Sequence, residues 1–290
     1  MHIGIVLPSV PGYSETFFRS KIEGLQNNGF KVTLFVKNPK GVTSFICPVK
    51  VHPMLCKHSA LRFIQTVYLV SRTFFRVPKK TLRIIDIAKK NNFSLFQGIK
   101  SVVIASTILT EKLDWLHFGF ATPALEREFI GRAMGAKVAV SFRGFDLNQT
   151  PLSDHNIYKN LWPNIDKVHS ISHYLIDKGV ELGLDKNTPF QIITPAIDGN
   201  RFSSKTDLRK SNTILLVSRL HWIKGIEYVL EAISEVKKRI SDISVTIVGE
   251  GEERERLIFA AYQLGILKQI NFVGKQEHNN IRKHIKRTRS

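Results

Sequence analysis

Short apolar runs separated by helical patterns organise the first part of this chain. The runs HIGIVL at residues 2–7 and KVTLFV at 31–36 predict buried strands. Between them, residues 14–29 have helical spacing, with Ser14 as the N-cap and Gly29 as the residue that ends the helix. Because parallel neighbours need a crossover connection, this strand–helix–strand order predicts a parallel sheet and an α/β fold.

The same alternation continues through the first half of the chain. Residues 58–112 are predicted to be helical in two or three pieces, with Pro78 at one junction. The other predicted elements are strands at 115–120, 137–142 and 167–172, a helix at 123–135 that Gly135 ends, and an extended segment at 190–198. Together these elements predict an N-terminal domain over residues 1–198.

A polar stretch without periodicity, residues 199–212, predicts a linker to a second domain at 213–290. In that domain, strands are predicted at 213–218, 243–249 and 269–274, and helices at 225–240, 252–265 and 277–289. A doubly wound domain usually has more strands than this. We therefore expect two Rossmann-like doubly wound domains, the second of them incomplete.

The composition is that of a globular protein with a strong positive charge. The chain has 290 residues, of which 43% are hydrophobic and 23% charged, and this length suits two domains. Its formal net charge is +19 and its pI about 10.0. Such a charge favours an anionic partner, either nucleic acid, a membrane surface or a phosphorylated substrate. The basic residues match no nucleic-acid-binding motif, which disfavours the first.

Several sequence features bear on compartment. Cys47 and Cys56 fit no metal-binding spacing and are expected to be free thiols in a reducing compartment. The N-terminus has no basic region or long apolar core, so it does not resemble a signal peptide. The most apolar later stretch, residues 61–77, is short and carries three arginines, so it is not predicted to span a membrane. A cytoplasmic protein is therefore expected.

One segment is strongly basic. Residues 57–100 contain ten Lys or Arg against one acid, Asp86, with aromatic residues between them. Basic helices with apolar faces can lie on anionic membranes, although a solvated basic face over a packed helix is the commoner explanation. The size of the excess favours surface binding, so we expect a peripheral position on the inner face of the membrane.

A strand-to-helix loop in the second half carries two cations. In VSRLHWIKGIEYVLEAI, residues 217–233, Arg219 and Lys224 precede a predicted helix whose N-terminal end already has a positive partial charge. Cations are mildly unfavourable there unless an anion binds, so the pair predicts a site for a strongly negative ligand, with ordinary surface cations near a helix start as the alternative. Gly249 and Gly251 follow the next strand, where glycine permits a ligand to approach the backbone, although a plain turn explains them about as well.

In their order, these segments resemble one protein family. VSRLHWIKGIEYVLEAI, VTIVGEGEERERL and INFVGKQEHNNIRKHI are similar to the nucleotide-sugar half of family-4 retaining glycosyltransferases, which have the GT-B fold. PSVPGYSETFF, LHFGF, SFRGFD and PAIDGNRF resemble segments from members that build exopolysaccharide and lipopolysaccharide. Arg143 stands where the family often has His, and Ala196 where it usually has Gly. The family's Glu-x7-Glu motif has no match, so we expect a C-terminally truncated member.

The resemblance implies transfer of a sugar from a nucleotide-diphosphate donor to a saccharide or lipid-linked acceptor, in cell-surface polysaccharide synthesis. It also implies retention of configuration and no metal or other cofactor, which fits cations in place of Mg²⁺ at the diphosphate. The rival hypothesis is an inactive relative that binds a nucleotide or an anionic membrane without turnover. No nucleic-acid partner is expected, and the sequence does not identify the donor or the acceptor.

The first half contributes further candidate residues. His117 follows an apolar strand, and ligands of parallel sheets bind at the carboxyl ends of strands, so it is the candidate catalytic residue, with a structural role as the alternative. The loop after the first strand would bring Gly12 close to the donor phosphates, and Glu15 and Thr16 to the acceptor or donor sugar, although a capped loop explains them equally well. Asp146 is a candidate sugar or acceptor contact, with helix capping as the alternative.

Overall fold

The structure, a computed structural model, describes residues 1–12, 16–38, 45–195, 212–277, 280–281 and 283–285, with only the backbone described at residue 16. It divides the chain into two compact units, Met1–Ile197 and Asp198–Ser290. The strands of the first unit are β1 His2–Ser9, β2 Lys31–Asn38, β3 Val49–Val51, β4 Trp115–Phe118, β5 Lys137–Phe142, β6 Lys167–Ser170 and β7 Phe190–Ile192. Its helices are α1 Thr16–Asn27, α2 Ser59–Arg76, α3 Pro78–Lys90, α4 Leu95–Leu109, α5 Ile130–Met134, α6 Gly144–Asn148 and α7 His173–Glu181.

The described strands of the second unit form a smaller sheet. They are β8 Thr213–Val217, β9 Ser244–Val248 and β10 Ile270–Gly274, and the helices are α8 Ile226–Val236 and α9 Arg254–Gln263. The strand order is β10-β9-β8, and both pairs are parallel. Leu230 of α8 and Leu257 of α9 pack with Val245 and Ile247 of β9 in one hydrophobic cluster.

The first unit is a seven-stranded parallel sheet in the order β3-β2-β1-β4-β5-β6-β7. The order reverses between β1 and β4, so the loops that follow these two strands leave the sheet on opposite sides. In open α/β sheets this switch point is where ligands bind, at the carboxyl ends of the strands. His117 lies on β4 at this point, in register with Ile5 of β1.

Helices cover both faces of this sheet, which explains the nearly continuous apolar runs of its strands. On one face, Ile5 and Leu7 of β1 pack with Phe18 and Ile22 of α1, and all four are at most 2% exposed. On the other face, Val6 joins the core formed with helices α3, α4 and α5. Alternate residues of β1 therefore serve opposite cores, as the period of a strand requires.

Most of the predicted elements are confirmed, and the structure explains where several helices begin and end. Gly29 follows α1 with φ 81°, and Gly135 caps α5 with φ 74°, both left-handed conformations that favour glycine. Pro78 is the first residue of α3, where proline is tolerated. Three elements were not predicted: β3 and α6, which have only three and five residues, and the nine-residue helix α7.

The predicted helix at 123–135 is wrong. Residues Thr122–Ala124 form a 3₁₀ turn, and only Ile130–Met134 is α-helical. Between them, Glu126 has φ 62°, and its N–H donates to the Glu128 carboxylate at 3.0 Å. A left-handed residue cannot continue a right-handed helix, so the periodic pattern here describes packing without a continuous helix.

Some predictions fall outside the described residues. These are Ser14 as N-cap, nearly all of the linker at 199–212, and most of the helix at 277–289, of which residues 280–281 and 283–285 are described as helical. None of the described helices combines the length and apolar character that crossing a membrane requires.

Candidate functional site

The cationic loop of the second unit follows β8 and leads into α8. Arg219 lies in the loop, and Lys224 is the last residue of a 3₁₀ turn, Trp222–Lys224. Gly225 then adopts a left-handed conformation with φ 62° and is the N-cap of α8. This turn places Lys224 directly before the N-terminal end of a helix, where backbone N–H groups lack intrahelical partners.

Two glycines hold this loop against its neighbour. A Cβ atom at Gly249 would collide with the carbonyl oxygen of Ser218, and one at Gly251 with the carbonyl oxygen of Leu220. The two loops are joined by backbone hydrogen bonds, from Ser218 N–H to Val248 O and from Leu220 N–H to Glu250 O, each 3.0 Å. The glycines therefore permit close backbone packing around Arg219, and their direct contact with a diphosphate stays a prediction.

The two cations differ from the other basic residues around them. Arg254 and Arg256 form ion pairs with Glu255 and Glu227, at 2.8 and 2.7 Å. Arg219 and Lys224 are exposed, and neither side chain has a hydrogen bond or ion pair within the part of the chain that the structure describes. Both are thus available to an anion in solution without first breaking such a contact.

The first unit joins two histidines through a buried serine at the carboxyl ends of three adjacent strands. His117 Nε2 lies 2.8 Å from Ser141 Oγ, and Ser141 Oγ lies 2.9 Å from His169 Nδ1. His169 Nε2 lies 3.1 Å from the carbonyl oxygen of Ile193. Ser141 is fully buried, so its position between β4 and β6 is fixed by the sheet.

These contacts determine a direction for the chain of hydrogen bonds. A carbonyl oxygen only accepts, so His169 Nε2 carries the proton and donates to Ile193. In the neutral ring, Nδ1 of His169 is then an acceptor, which receives the Ser141 hydroxyl proton. Ser141 Oγ in turn accepts from His117 Nε2, which leaves Nδ1 of His117 as an acceptor. Lys21 Nζ lies beside the same ring, 3.4 Å from Nδ1 and 3.2 Å from Nε2.

Burial and positive neighbours keep the two histidines uncharged near neutral pH and leave Lys21 only partly charged. Burial lowers the pKa of His117 well below its usual value, and the charges of Lys21, His169 and Arg143 lower it further. Burial, and then Lys21, lowers the pKa of His169 to about 4. The pKa of Lys21 falls to about 7 through burial and the charge of Arg143. A neutral His117 with an acceptor nitrogen is suited to take a proton or to bind a hydroxyl group.

Arg143 and Asp146 surround this group with a rigid frame. The Arg143 guanidinium lies 4.0 Å from the ring centre of Phe17 and 5.5 Å from that of Phe18. The Asp146 carboxylate, 1% exposed, accepts the N–H groups of Ala121 at 2.8 Å and Arg143 at 3.0 Å. Burial raises the pKa of Asp146 to about 6.

The remaining predicted residues of the first unit are only partly described. Asp146 caps α6, which was the structural alternative to a role in binding. Its contact with a sugar stays a prediction, and its burial does not support that contact. Gly12 is exposed, with open space where a Cβ would stand. Glu15 and the side chain of Thr16 lie outside the described residues, so their predicted contacts are not assessed.

Sequence reasoning named His117 but missed Lys21, Ser141 and His169. Lys21 is 96 positions from His117, and Ser141 is 24 positions from it. His169 lies in the predicted strand KVHSIS, directly after the apolar residue Val168. A histidine inside a predicted strand was the signal that could have pointed to it.

Comparison with known proteins finds that the second unit is similar to one family. Residues 199–289 match the family described as "Glycosyl transferases group 1". Over 172 residues, the chain is 23% identical to a GDP-mannose-dependent alpha-(1-6)-phosphatidylinositol monomannoside mannosyltransferase of Mycolicibacterium smegmatis. That alignment covers 55% of this chain and 45% of the relative, so the chain spans less than half of the relative's length.

Solved structures resemble nearly the whole chain. Anabaena Alr3699/HepE, solved in complex with UDP and glucose, matches 96% of this chain and 70% of its own, with 12% identity and a TM-score of 0.63. The lipopolysaccharide outer core galactosyltransferase WaaB matches 97% of this chain and 70% of its own, with 14% identity and a TM-score of 0.58. These likenesses confirm the predicted α/β fold with parallel, Rossmann-like sheets of the GT-B type.

Proposed function

We propose that this protein transfers a sugar from a nucleotide-diphosphate donor to a saccharide or lipid-linked acceptor in the synthesis of cell-surface glycans. The observation that carries the proposal is the match of residues 199–289 to a glycosyltransferase family, in the segment where the structure presents Arg219 and Lys224. The relative that uses GDP-mannose and the neighbour solved with UDP agree with a nucleotide-sugar donor.

The cationic loop fits the chemistry of such a donor. The bond that breaks joins the sugar to a phosphate oxygen, and its electron pair leaves with the diphosphate. Negative charge therefore grows on the phosphate oxygens in the transition state, where Arg219, Lys224 and the N–H groups at the start of α8 would stabilise it. Two cations supply this charge without Mg²⁺, so the proposed transfer is independent of metal and, by the family resemblance, retains configuration.

His117 has a separate role in the proposal. Its Nδ1 atom is an acceptor because Nε2 donates to Ser141. It would accept a hydrogen bond from a sugar hydroxyl, either of the donor or of the acceptor. Ser141 and His169 would act as positioning residues, since they fix the tautomer and orientation of the ring without touching the sugar.

Calorimetric titration with UDP and GDP tests the donor site. We expect the wild-type chain to bind at least one of them, without added metal and in the presence of a chelator. Arg219→Ala combined with Lys224→Ala should weaken this binding by about 100-fold or more, because each charge-assisted hydrogen bond contributes about 1.5–3 kcal/mol.

The matched control removes two positive charges from the segments that precede β9 and β10, at the amino ends of the strands, whereas Arg219 follows the carboxyl end of β8. Lys238 follows α8 and Lys268 precedes β10, and both are exposed. Lys238→Ala with Lys268→Ala should leave nucleotide affinity within about twofold of the wild type, since these charges are screened at this distance. Equal affinity of the wild type and the Arg219/Lys224 variant would contradict the proposed site.

We also propose that the α2 region lies on an anionic membrane, where a lipid-linked acceptor would be found. Phe63 is 70% exposed, Tyr68 60% and Phe75 83%, and Thr73 is the only buried residue among those of α2. Arg72 and Arg76 line a cavity of about 350 Å³ next to this helix. Exposed aromatic groups beside cations are the features of a helix that binds at a lipid–water interface.

Sedimentation with vesicles tests this surface. Vesicles of phosphatidylglycerol should bind the chain more tightly than vesicles of phosphatidylcholine, and added salt should reduce the difference. Replacing Arg72 and Arg76 by Gln should weaken binding by roughly fivefold for each charge, at about 1 kcal/mol each.

The aromatic contribution has its own control. Phe75→Ser should weaken binding, whereas Phe259→Ser, at a 58% exposed position of α9, should not. Equal binding to neutral and anionic vesicles would show that the basic surface serves another purpose.

A further inference from the structure

We propose that Lys21, Arg143 and His117 form a binding site for a phosphate dianion in the first unit, separate from the Arg219–Lys224 loop. The site would take the phosphate group of an acceptor or the diphosphate of a donor. It rests on the geometry of the first unit alone, so it stands or fails independently of nucleotide binding by the second unit.

The geometry brings basic groups from four segments to one point. Lys21 on α1 has its Nζ atom 3.2 Å from Nε2 and 3.4 Å from Nδ1 of His117 on β4. The Arg143 guanidinium, directly after β5, is held by stacking on Phe17. His169 on β6 joins the group through Ser141. All four basic residues are half-buried.

The charges in this group are all of one sign. Each charged neighbour that acts on Lys21, His117 or His169 is itself basic, among the residues that the structure describes. Asp146 is the acidic group that faces Arg143, and both of its oxygens already accept backbone N–H groups. Glu15, in the neighbouring loop, lies outside the described residues. Lys21 and Arg143, the two members of the group that can be charged near neutral pH, repel each other, and an anion between them would relieve this cost.

The position in the sheet supports a ligand. His117 lies beside β1 at the switch point of the strand order, where open α/β sheets bind ligands. A tetrahedral dianion suits the site because it has enough oxygen atoms for an ammonium group, a guanidinium group and an imidazole at once. Its charge would also draw protons onto Lys21 and His117. Binding should therefore be accompanied by proton uptake.

Sulfate is the probe for this uptake, because it carries no titrating proton near neutral pH. The full chain with Arg219→Ala and Lys224→Ala would be titrated at pH 7.5 in two buffers of different ionisation enthalpy. Since the pKa of Lys21 is about 7, we expect uptake of about 0.5 to 1 proton per bound sulfate. The imidazole resonances of His117 and His169 should shift on saturation.

Variants separate a site from a general charge effect. Lys21→Met should weaken sulfate binding by tenfold or more and remove the share of the proton uptake that belongs to Lys21, leaving at most that of His117. Lys37→Met removes an exposed charge at the end of β2 and should leave both unchanged. If Lys21→Met does not fold, Arg143→Gln replaces it, because loss of the other cation should also weaken sulfate binding.

The source of the phosphate is decided with two further probes in the same background. Tighter binding of glycerol 1-phosphate would assign the site to an acceptor phosphate, and tighter binding of UDP to the donor. The proposal would be overturned if sulfate, glycerol 1-phosphate and UDP all failed to bind at about 50 mM, roughly the weakest affinity of interest for such a site. Sulfate binding without proton uptake, or with the same affinity in Lys21→Met and Lys37→Met, would also overturn it.

Discussion

The two units hold their cations in opposite ways. Arg219 and Lys224 are exposed, and they lie close together in one loop before α8. Lys21 and Arg143 are half-buried, come from separate segments, and lie against an imidazole and a phenyl ring. Exposed cations bind an anion with little desolvation but are screened by salt. Half-buried cations repel one another until an anion arrives, so they respond to pH as well as to charge.

The contrast shows two ways to prepare an anion site. In the second unit, a turn presents cations, and tight backbone packing keeps the turn in place. In the first unit, the sheet itself fixes the side chains, because Ser141 and His169 lie on adjacent strands. Changes at the backbone should therefore damage the second site most, and changes at side-chain hydrogen bonds the first.

The largest effect is expected from Gly251→Ala. A Cβ at this position would collide with the carbonyl group of Leu220, which is backbone and cannot turn away. We expect a loss of roughly 3 kcal/mol in the free energy of unfolding of the second unit, a typical cost of overpacking. UDP affinity should fall at least tenfold, because the Arg219 loop would move. Chemical denaturation and calorimetry measure the two effects.

The control is a glycine with free space. A Cβ at Gly24 would meet nothing within 4 Å, and the residue lies inside α1. Gly24→Ala should raise stability by about 0.5–1 kcal/mol through a smaller loss of backbone entropy. A Gly251→Ala protein as stable as the wild type would mean that the loops are not packed as closely as described.

The same contrast explains what the sequence could predict. Arg219 and Lys224 were found because their loop, strand and helix are contiguous, so local pattern and chemistry coincide. The group around His117 was not found, because Lys21 and His169 reach it only through the topology of the sheet. Ser141 in KVAVSF has no distinguishing feature until its neighbours are known. The strands themselves were predicted well, since burial on both faces gives each one a strong apolar run.

Asp146→Asn tests the frame of the first site. Both carboxylate oxygens accept backbone N–H groups, and an amide would turn an NH₂ group toward one of them. A buried N–H group left without an acceptor costs about 1–3 kcal/mol, so stability should fall by about 2 kcal/mol. Asp154→Asn is the control, since its carboxylate accepts one bond in an exposed turn. A loss below 0.5 kcal/mol, about the size of a surface effect, would show that Asp146 does not support the loop.

The smallest effect concerns pH. The pKa of His169 is about 4 in the folded protein, mainly because of burial, against an ordinary value of 6.5. Below pH 6.5 the unfolded chain therefore takes up a proton that the folded protein refuses, and stability is lost as the pH falls toward 4. Allowing for partial exposure, we expect His169 to contribute roughly 1 kcal/mol of the loss between pH 7 and 5.5.

His169→Gln isolates this contribution. Its amide oxygen can accept from Ser141 and its NH₂ group can donate to Ile193, so the chain of hydrogen bonds to His117 is kept without a titrating group. Denaturation at pH 7 and 5.5 should show a smaller loss in His169→Gln than in the wild type. His155→Gln, at an exposed position, should match the wild type. Identical losses in all three proteins would mean that His169 titrates as it does in the unfolded chain. The half-buried group of the first unit would then respond to pH no more strongly than the exposed loop of the second.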